Sequence, residues 1–471
     1  MITIYNEITK QKEVFEPLSS GEVKMYVCGP TVYDYFHAGN ARCFVIFDFI
    51  RRIFEYAGYK VNYVFNFTDI DDKMIARANL ENISVGELAE RFIGEYHKDA
   101  DGLKITRADV YPRATEHIDE IIDIIKILIE KNHAYKSEKS ADVYFSAKSF
   151  KDYGKLAGKK IEDLQQGGRV DGEIMEEKRD PLDFALWKSK KDGEPYWESP
   201  WGDGRPGWHI ECSAMARKYL GDTIDLHCGG VDLEFPHHEN EIAQSECATG
   251  KTFARYWLHN GFINVDNEKM SKSEGNFFTA REIAEKYGYM PLRFFILSSN
   301  YRMPLNFSED IIKAAQSSLE RIFLFGENLD FALKNAKDAA ANAADAQCAP
   351  LRAYRDRFKA ALFDDFNSAA AVSVIFELIK EVNIKIGAGN ADKKYLETAR
   401  ELYGEFCGLF GFAPEIKESA VSDEYILGQI EARIAAKKAR DFKAADEIRD
   451  NLKSQGIILE DTPSGTKWRR E

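Results

Sequence analysis

Lys269-Met270-Ser271-Lys272-Ser273, in the stretch GFINVDNEKMSKSEGNFFT, sets two lysines and two serines around one apolar residue, with Glu-Gly-Asn behind them. Such a segment reads as a loop that carries positive charge to a polyphosphate. A second candidate phosphate site lies far upstream in PTVYDYFHAGNAR, residues 30–42. There His37 offers a positive or hydrogen-bonding edge. Gly39 lets a flat base approach the backbone, and Asn40 can bond a phosphate or a ribose. Taken alone, this motif is equally a helix cap with an incidental histidine. A third group has the chemistry of a soft-metal site: Cys28, Cys212 in GWHIECSAM, and His237 and Glu241 in FPHHENE. The last two are four apart and so share one helix face. Two thiolates, an imidazole and a carboxylate make a zinc set. Spacing leaves the choice open, because there is no Cys-x-x-Cys pair and Cys228, His227 and His238 are rival ligands. A single buried cysteine is more often a small hydrophobe. Asp69-x-Asp71-Asp72 lacks the Gly and closing Glu of a calcium loop and reads as a polar turn.

These residues need a scaffold that joins strand ends to a helix start. EVKMYVC (22–28) alternates as a strand, and Gly29-Pro30 breaks it. ARCFVIFDFIRRIFEYAGY, from Ala41, has helical spacing with Phe44, Phe47, Ile50, Phe54 and Ala57 on one face and Gly58 as its stop. VNYVFNF (61–67) is a second, buried strand. Strand, helix and strand in this order make a βαβ unit, hence a parallel sheet with a right-handed crossover. Ligands of such sheets sit at the carboxyl ends of strands, near helix N-termini. An amphipathic helix is predicted over 114–132, irregular chain over 137–207, and a returning strand in DTIDLHCGG (222–230). Past residue 310 the pattern turns helical. Residues 336–349 are Ala-rich and read as a linker or a poorly packed helix. Leu351, Tyr354, Phe358 and Leu362, then Ile375, Leu378, Ile379 and Val382, then Leu396, Ala399, Leu402 and Phe406 mark three helices of a bundle. Two short helices and a strand–turn–strand (GIILEDTPSGTKWRR) close the chain.

At this point a resemblance is plain. HAGN at 37–40 resembles the HIGH signature of class I aminoacyl-tRNA synthetases, and Lys269–Ser273 resembles their KMSKS signature. Ala38 and Asn40 depart from it, though Asn40 keeps its hydrogen-bonding ability. MYVCGPTVYD, NFTDIDDK, RPGWHIECSAM, DLEFPHHENE and the C-terminal AADEIRDNL…GIILEDTPSGTKWRR are similar to the cysteinyl-tRNA synthetase family over nearly the whole chain. The resemblance implies zinc, one ion per chain, on Cys28, Cys212, His237 and Glu241, and ATP as substrate with Mg2+ on the nucleotide. His37, Asn40, Lys269 and Lys272 would then be the catalytic residues, by electrostatic stabilisation of phosphate charge. Gly39, Gly229 and Gly230 would complete the ATP site with them. Gly29, Thr68, Trp208 and Asp232 would line the amino-acid pocket. L-cysteine and tRNA(Cys) would be the other substrates.

The implied fold is α/β: a Rossmann-like doubly wound parallel-sheet catalytic domain with an insertion, an α-helical bundle, and a small C-terminal α+β domain. The expected bounds are 1–310 (insertion about 110–205, signature-loop region about 255–310), 311–415 and 423–471. The last two would reach the tRNA. Arg433, Lys437, Lys438, Arg440 and Lys443 are candidates for phosphate contacts, and Trp468, Arg469 and Arg470 for an unpaired base. A paralogous ligase joining cysteine to a small amine would not need that end. A non-catalytic zinc-containing RNA-binding protein would not need both His37 and Lys272.

Composition sets limits on these readings. At 471 residues and 44% apolar, the chain has length for two to four domains with real cores. A net charge of −14 argues against non-specific nucleic-acid binding. From Glu431 to Glu471, ten Lys/Arg against eight Asp/Glu leave +2, so the rest carries −16. A weakly basic tail on an acidic body fits one localised contact. Seven cysteines without regular spacing fit a reducing cytoplasm better than a disulfide scaffold. MITIYNEITKQKEVFEP has no apolar leader core, and no membrane span is expected. Nothing in the pattern demands more than a monomer.

Overall fold

In the computed structural model, residues 1–159, 177–266, 268–269, 278–336, 341–414, 421–462 and 465–470 are described. Four strands form the central parallel sheet: Glu22–Val27, Lys60–Phe65, Ile224–Gly230 and Ala254–Asn260. In space the order is 254–260, 224–230, 22–27, 60–65, every pair parallel. Val23, Met25, Tyr26 and Val27 are all buried, as expected of a strand covered on both faces. The connections from 22–27 and from 224–230 leave in opposite directions from adjacent strands. That is a topological switch point, and it opens a crevice at the carboxyl ends.

The first crossover helix is Ala38–Tyr56, three residues earlier than its apolar pattern predicts. The His37 side chain caps it, its Nδ1 accepting from the Asn40 N–H at 3.2 Å. Phe44, Phe47, Ile50 and Phe54 are buried, but so are Val45, Ile46, Phe49 and Ile53. The helix is therefore enclosed nearly all round rather than along one face. The predicted helix over 114–132 is a 3-10 turn, Ala114–Glu116, followed by Ile118–Glu130.

The expectation of irregular chain over 137–207 is corrected. Strands Ala134–Lys136, Val143–Phe145, Phe184–Ser189 and Gly204–Pro206 form an antiparallel sheet in sequential order. Phe145, Leu186 and Trp187 pack with Ile121, Ile125 and Leu128 and with Ile210, Ala214 and Ala243 in one apolar cluster. Three of these strands have three residues each, too few for alternation to register. Gly204 and Gly207 sit where a Cβ would strike the backbone carbonyls of Lys188 and Ala185.

Helices Glu309–Lys334, Ala341–Phe363, Ser368–Gly387 and Lys393–Phe410 follow. The Ala-rich stretch enters the second of these at Ala341, and the predicted apolar stripes (Leu351, Ile375, Leu378, Leu402, Phe406) are buried. The chain divides into two compact units. One is Met1–Leu319 with Asp356–Val374 and Gly408–Phe412, and the other comprises Glu320–Arg355, Ile375–Cys407 and Ala413–Glu471. The second unit holds the terminal helices Asp423–Lys438 and Phe442–Ser454 and a hairpin pairing Ile457–Thr462 with Gly465–Arg470. Ile426, Ile430, Leu452 and Ile457 form its core, with Trp468 packed against them. Arg433 is buried and forks onto Asp461 at 2.7 and 2.9 Å, with Lys437 on the same carboxylate. Arg433 therefore braces the hairpin from a buried position, which corrects its reading as a phosphate contact, while Lys437 remains exposed beside the same carboxylate. The side chains of Arg469 and Arg470 lie outside the described residues. Among the described residues no helix is long and apolar enough to cross a membrane.

Candidate active site

The crevice at the switch point has a volume of about 400 Å³. The end of the first strand supplies Cys28 and Gly29, and the cap and first turn of the 38–56 helix supply His37, Gly39 and Asn40. Gly230 and Asp232 follow the third strand, Asn260 to Ile263 follow the fourth, and Trp208, Cys212 and His237 close the far wall. The positive end of the helix dipole thus faces the same space as the candidate metal ligands.

Cys212 and Glu241 come from two packed helices, Trp208–Leu220 and Glu239–Thr249, and His237 from the turn before the second. Cys28 Sγ is 3.9 Å from Cys212 Sγ and 3.6 Å from Glu241 Oε1, and His237 Nε2 is 3.1 Å from Glu241 Oε1. Ligand atoms about 2.0–2.3 Å from a tetrahedral zinc lie about 3.3–3.8 Å from one another, so the set fits. A rival set, Cys28, His227, His238 and Glu241, is equally tight, with each set's ligand atoms within 4.8 Å. Access separates them. Cys212 and His237 border the crevice, whereas His227 and His238 are fully enclosed behind it. His227 Nε2 is 2.9 Å from Glu241 Oε2, and His238 Nε2 is 3.3 Å from Cys28 Sγ.

The cluster is polarised toward a cation. Burial pushes the Cys28 thiol up, while the hydrogen bond from Cys28 holds Cys212 low. Burial would also raise Glu241, but His227 and His237 outweigh it and hold the carboxyl down at about 2. A thiolate and a carboxylate side by side in a dry pocket favour a divalent ion.

The remaining candidates fall at different depths. Gly29 and Thr68 border the crevice. A Cβ on Gly29 would collide with the Asn66 carbonyl, so that glycine serves the close approach of two strand ends. Thr68 pairs its backbone with Pro30 and Val32. Its neighbour Asp69 instead accepts from Thr115, and Asp71 caps the helix Asp72–Glu81. Trp208 is 41% exposed and lies on the His237 ring, centroids 4.4 Å apart. Gly229 sits one residue deeper than Gly230, against the His238 imidazole. Lys269 ends the short strand Glu268–Lys269, but its side chain and all of Lys272 lie outside the described residues.

Arg42 is a residue that sequence reasoning missed. It is fully buried and donates to five backbone carbonyls: Gly261, Phe262, Asn300, Tyr301 and Met303, at 2.5–3.2 Å. It pins two loops, one of which lines the crevice. An arginine one residue past the predicted helix start at Ala41, leading an apolar run, was the available signal. Asn260-Gly261, closing a buried strand, was a second.

Residues 14–317 match the family of tRNA synthetases class I (C), catalytic domain, and residues 357–413 match the DALR domain. A cysteine–tRNA ligase of Caldicellulosiruptor saccharolyticus is 55% identical over 469 residues, 99% of each chain. Among solved structures, Mycobacterium tuberculosis methionyl-tRNA synthetase in complex with methionyl-adenylate superposes with a TM-score of 0.61 at 16% identity, over 83% of this chain and 89% of that one. A ternary LeuRS–tRNA–LeuAMS complex from Agrobacterium radiobacter gives 0.60 at 11% identity, over 96% of each chain. At these identities the two structures speak for the fold alone.

Proposed function

This chain belongs to the cysteine–tRNA ligase family of class I aminoacyl-tRNA synthetases, and we propose a zinc-selected, adenylate-forming route for it. L-cysteine and ATP give cysteinyl-adenylate and pyrophosphate, and the cysteinyl group then passes to the 3′-terminal adenosine of tRNA(Cys). One observation carries the reading: a Cys–Cys–His–Glu set, of which Cys28, Cys212 and His237 border the crevice, lies where a helix N-terminus opens onto the same crevice.

Cys28, Cys212, His237 and Glu241 hold the zinc. When bound, zinc lowers a thiol pKa from its free value of about 8.5 and takes the thiolate directly, which a serine hydroxyl matches poorly. A purely apolar pocket separates near-isosteres by only about 10–200-fold, so the metal supplies the discrimination. Trp208 covers His237 and keeps water from that wall. Asp232 faces the substrate ammonium or the ribose, and Gly29 and Thr68 shape the floor. Gly39, Gly230 and the first helical turn accept ATP, with Mg2+ on its phosphates. The cysteine carboxylate attacks the α-phosphorus and pyrophosphate leaves. His37, Asn40, Lys269 and Lys272 offset the charge that develops on the phosphates. A carboxylate is already ionised, so no general base is needed for this step.

Cysteine- and tRNA-dependent release of pyrophosphate tests the reading, with serine as control. The expected result is turnover with cysteine and none above background with serine. Equal turnover with both would overturn it.

A further inference from the structure

NFTDIDDK, residues 66–73, ends on a side chain that the chemistry above leaves unused. The carboxylates before it are engaged elsewhere. Asp71 caps the helix Asp72–Glu81, its Oδ1 accepting from the Lys73 backbone N–H at 2.6 Å. Asp72 holds Lys188 Nζ at 2.7 Å and Arg205, both on the antiparallel insert sheet. Lys73 itself borders the crevice, and its side chain is exposed. It makes no ion pair among the described residues; its Nζ lies over the Tyr33 ring, 5.6 Å from the centroid. A ring face holds an exposed ammonium weakly, so the contact can be exchanged for a phosphate oxygen.

Charge and position narrow what Lys73 meets. Among the described residues that border the crevice, Lys73 is the one lysine or arginine. Asp34 and Asp232 border it too, so one ammonium faces two carboxylates. A polyphosphate brings several more negative charges into that space. The start of the 38–56 helix offsets them only partly, with about half a charge. Cys212 and His237 are buried at the far wall, whereas Lys73 stands exposed at the mouth. Adenosine and the α-phosphate stay inside as adenylate. The β- and γ-phosphates depart, and they leave past the mouth.

We propose that Lys73 is a further catalytic residue for adenylate formation, its ammonium taking the β- and γ-phosphate oxygens of ATP at the crevice mouth. This rests on the adenylate reading above. As a cysteine carboxylate oxygen bonds to the α-phosphorus, the bond from that phosphorus to the bridging oxygen breaks. Its electron pair stays on the departing pyrophosphate, so negative charge grows on the group that Lys73 holds. The contact is therefore stronger in the transition state than in bound ATP, and it speeds the step more than it tightens the nucleotide. Between turnovers the ammonium returns to the Tyr33 ring.

The test uses the full chain with Lys73→Met, which keeps an apolar stem over Tyr33 and removes the charge, and Lys73→Arg, which keeps the charge. The readouts are cysteine-dependent ATP–pyrophosphate exchange, single-turnover transfer from preformed adenylate to tRNA(Cys), and the urea midpoint. Lys73→Met should lose about 10–100-fold in exchange kcat, with the KM for ATP within about threefold of wild type. Its KM for pyrophosphate should rise about tenfold, and Lys73→Arg should exchange within about tenfold of wild type. Transfer and urea midpoint should stay at wild-type values in both. Wild-type exchange in Lys73→Met would overturn the proposal. So would a loss confined to the transfer step, which would give the lysine to phosphodiesters at the 3′ end of the RNA. Equal losses in both variants with a lowered urea midpoint would also overturn it, leaving a structural role. Wild-type protein without cysteine-dependent exchange would instead overturn the reading beneath it.

Discussion

Replacing Arg42 by Met keeps the bulk of the side chain and removes every donor. Arg42 has no carboxylate partner among its hydrogen bonds; five carbonyl dipoles hold its charge. Burial lowers its pKa to about 10, so it remains a cation at neutral pH. Two of its acceptors, the Gly261 and Tyr301 carbonyls, are in fully buried bonds, while the other three are in partly buried ones. Each of these two keeps a second donor, Asn260 Nδ2 on the Gly261 carbonyl at 3.1 Å and the Gly261 N–H on the Tyr301 carbonyl at 2.9 Å, so the loss is of two buried charge-assisted hydrogen bonds, about 3–6 kcal/mol together. The guanidinium no longer has to be desolvated, which offsets part of that. A net loss of about 2–4 kcal/mol is expected, a large share of a typical stability of about 5–15 kcal/mol. Urea unfolding followed by tryptophan fluorescence measures it. The loop from Gly261 also lines the crevice, so cysteine-dependent ATP–pyrophosphate exchange should fall about 10–100-fold in kcat/KM while zinc stays bound. Wild-type stability and exchange in Arg42→Met would refute the claim that this side chain holds the loops.

Asp461→Asn should destabilise the C-terminal hairpin by about 1 kcal/mol at pH 7, since the carboxylate is half exposed and solvent screens its pairs. The Arg433 guanidinium, then Lys437, hold Asp461 well below the usual carboxylate range. A depressed carboxylate contributes stability above its unfolded pKa and loses it as pH falls through the folded one. The gap between wild type and variant should therefore be full above about pH 5 and shrink steadily below about pH 4; a gap constant from pH 7 to pH 3 would count against the pairing. Lys272→Ala should slow adenylate formation by about 10²–10³-fold with cysteine affinity nearly unchanged in equilibrium binding. Loss of cysteine binding alone would contradict its role.

Three of the four parallel strands were legible because they are apolar and bounded by recognisable breaks, as at Gly29-Pro30, whereas Ala254–Asn260 was missed. The insert sheet was not legible, because its one longer strand offers only the short apolar run Phe184-Ala185-Leu186-Trp187 before a polar stretch, and the flanking strands are too short for a period to show. Residue types alone named four metal ligands but also three rivals. What the fold adds is access: it places His227 and His238 behind Glu241 and Cys28 and leaves Cys212 and His237 at the crevice wall. Arg433 read as a surface cation because its partner, Asp461, lies 28 residues on across a turn. Arg42 was hidden for a similar reason: its acceptors are backbone carbonyls more than 200 residues away, and carbonyls leave no trace in residue identity.

The central claim is that a metal on Cys28, Cys212, His237 and Glu241 selects the thiol. It is tested most directly by ATP–pyrophosphate exchange with cysteine and with serine, on zinc-loaded, zinc-stripped and reloaded protein. The account predicts exchange with cysteine only, its loss on stripping, and its return when zinc is restored. Undiminished discrimination in the stripped protein would contradict it.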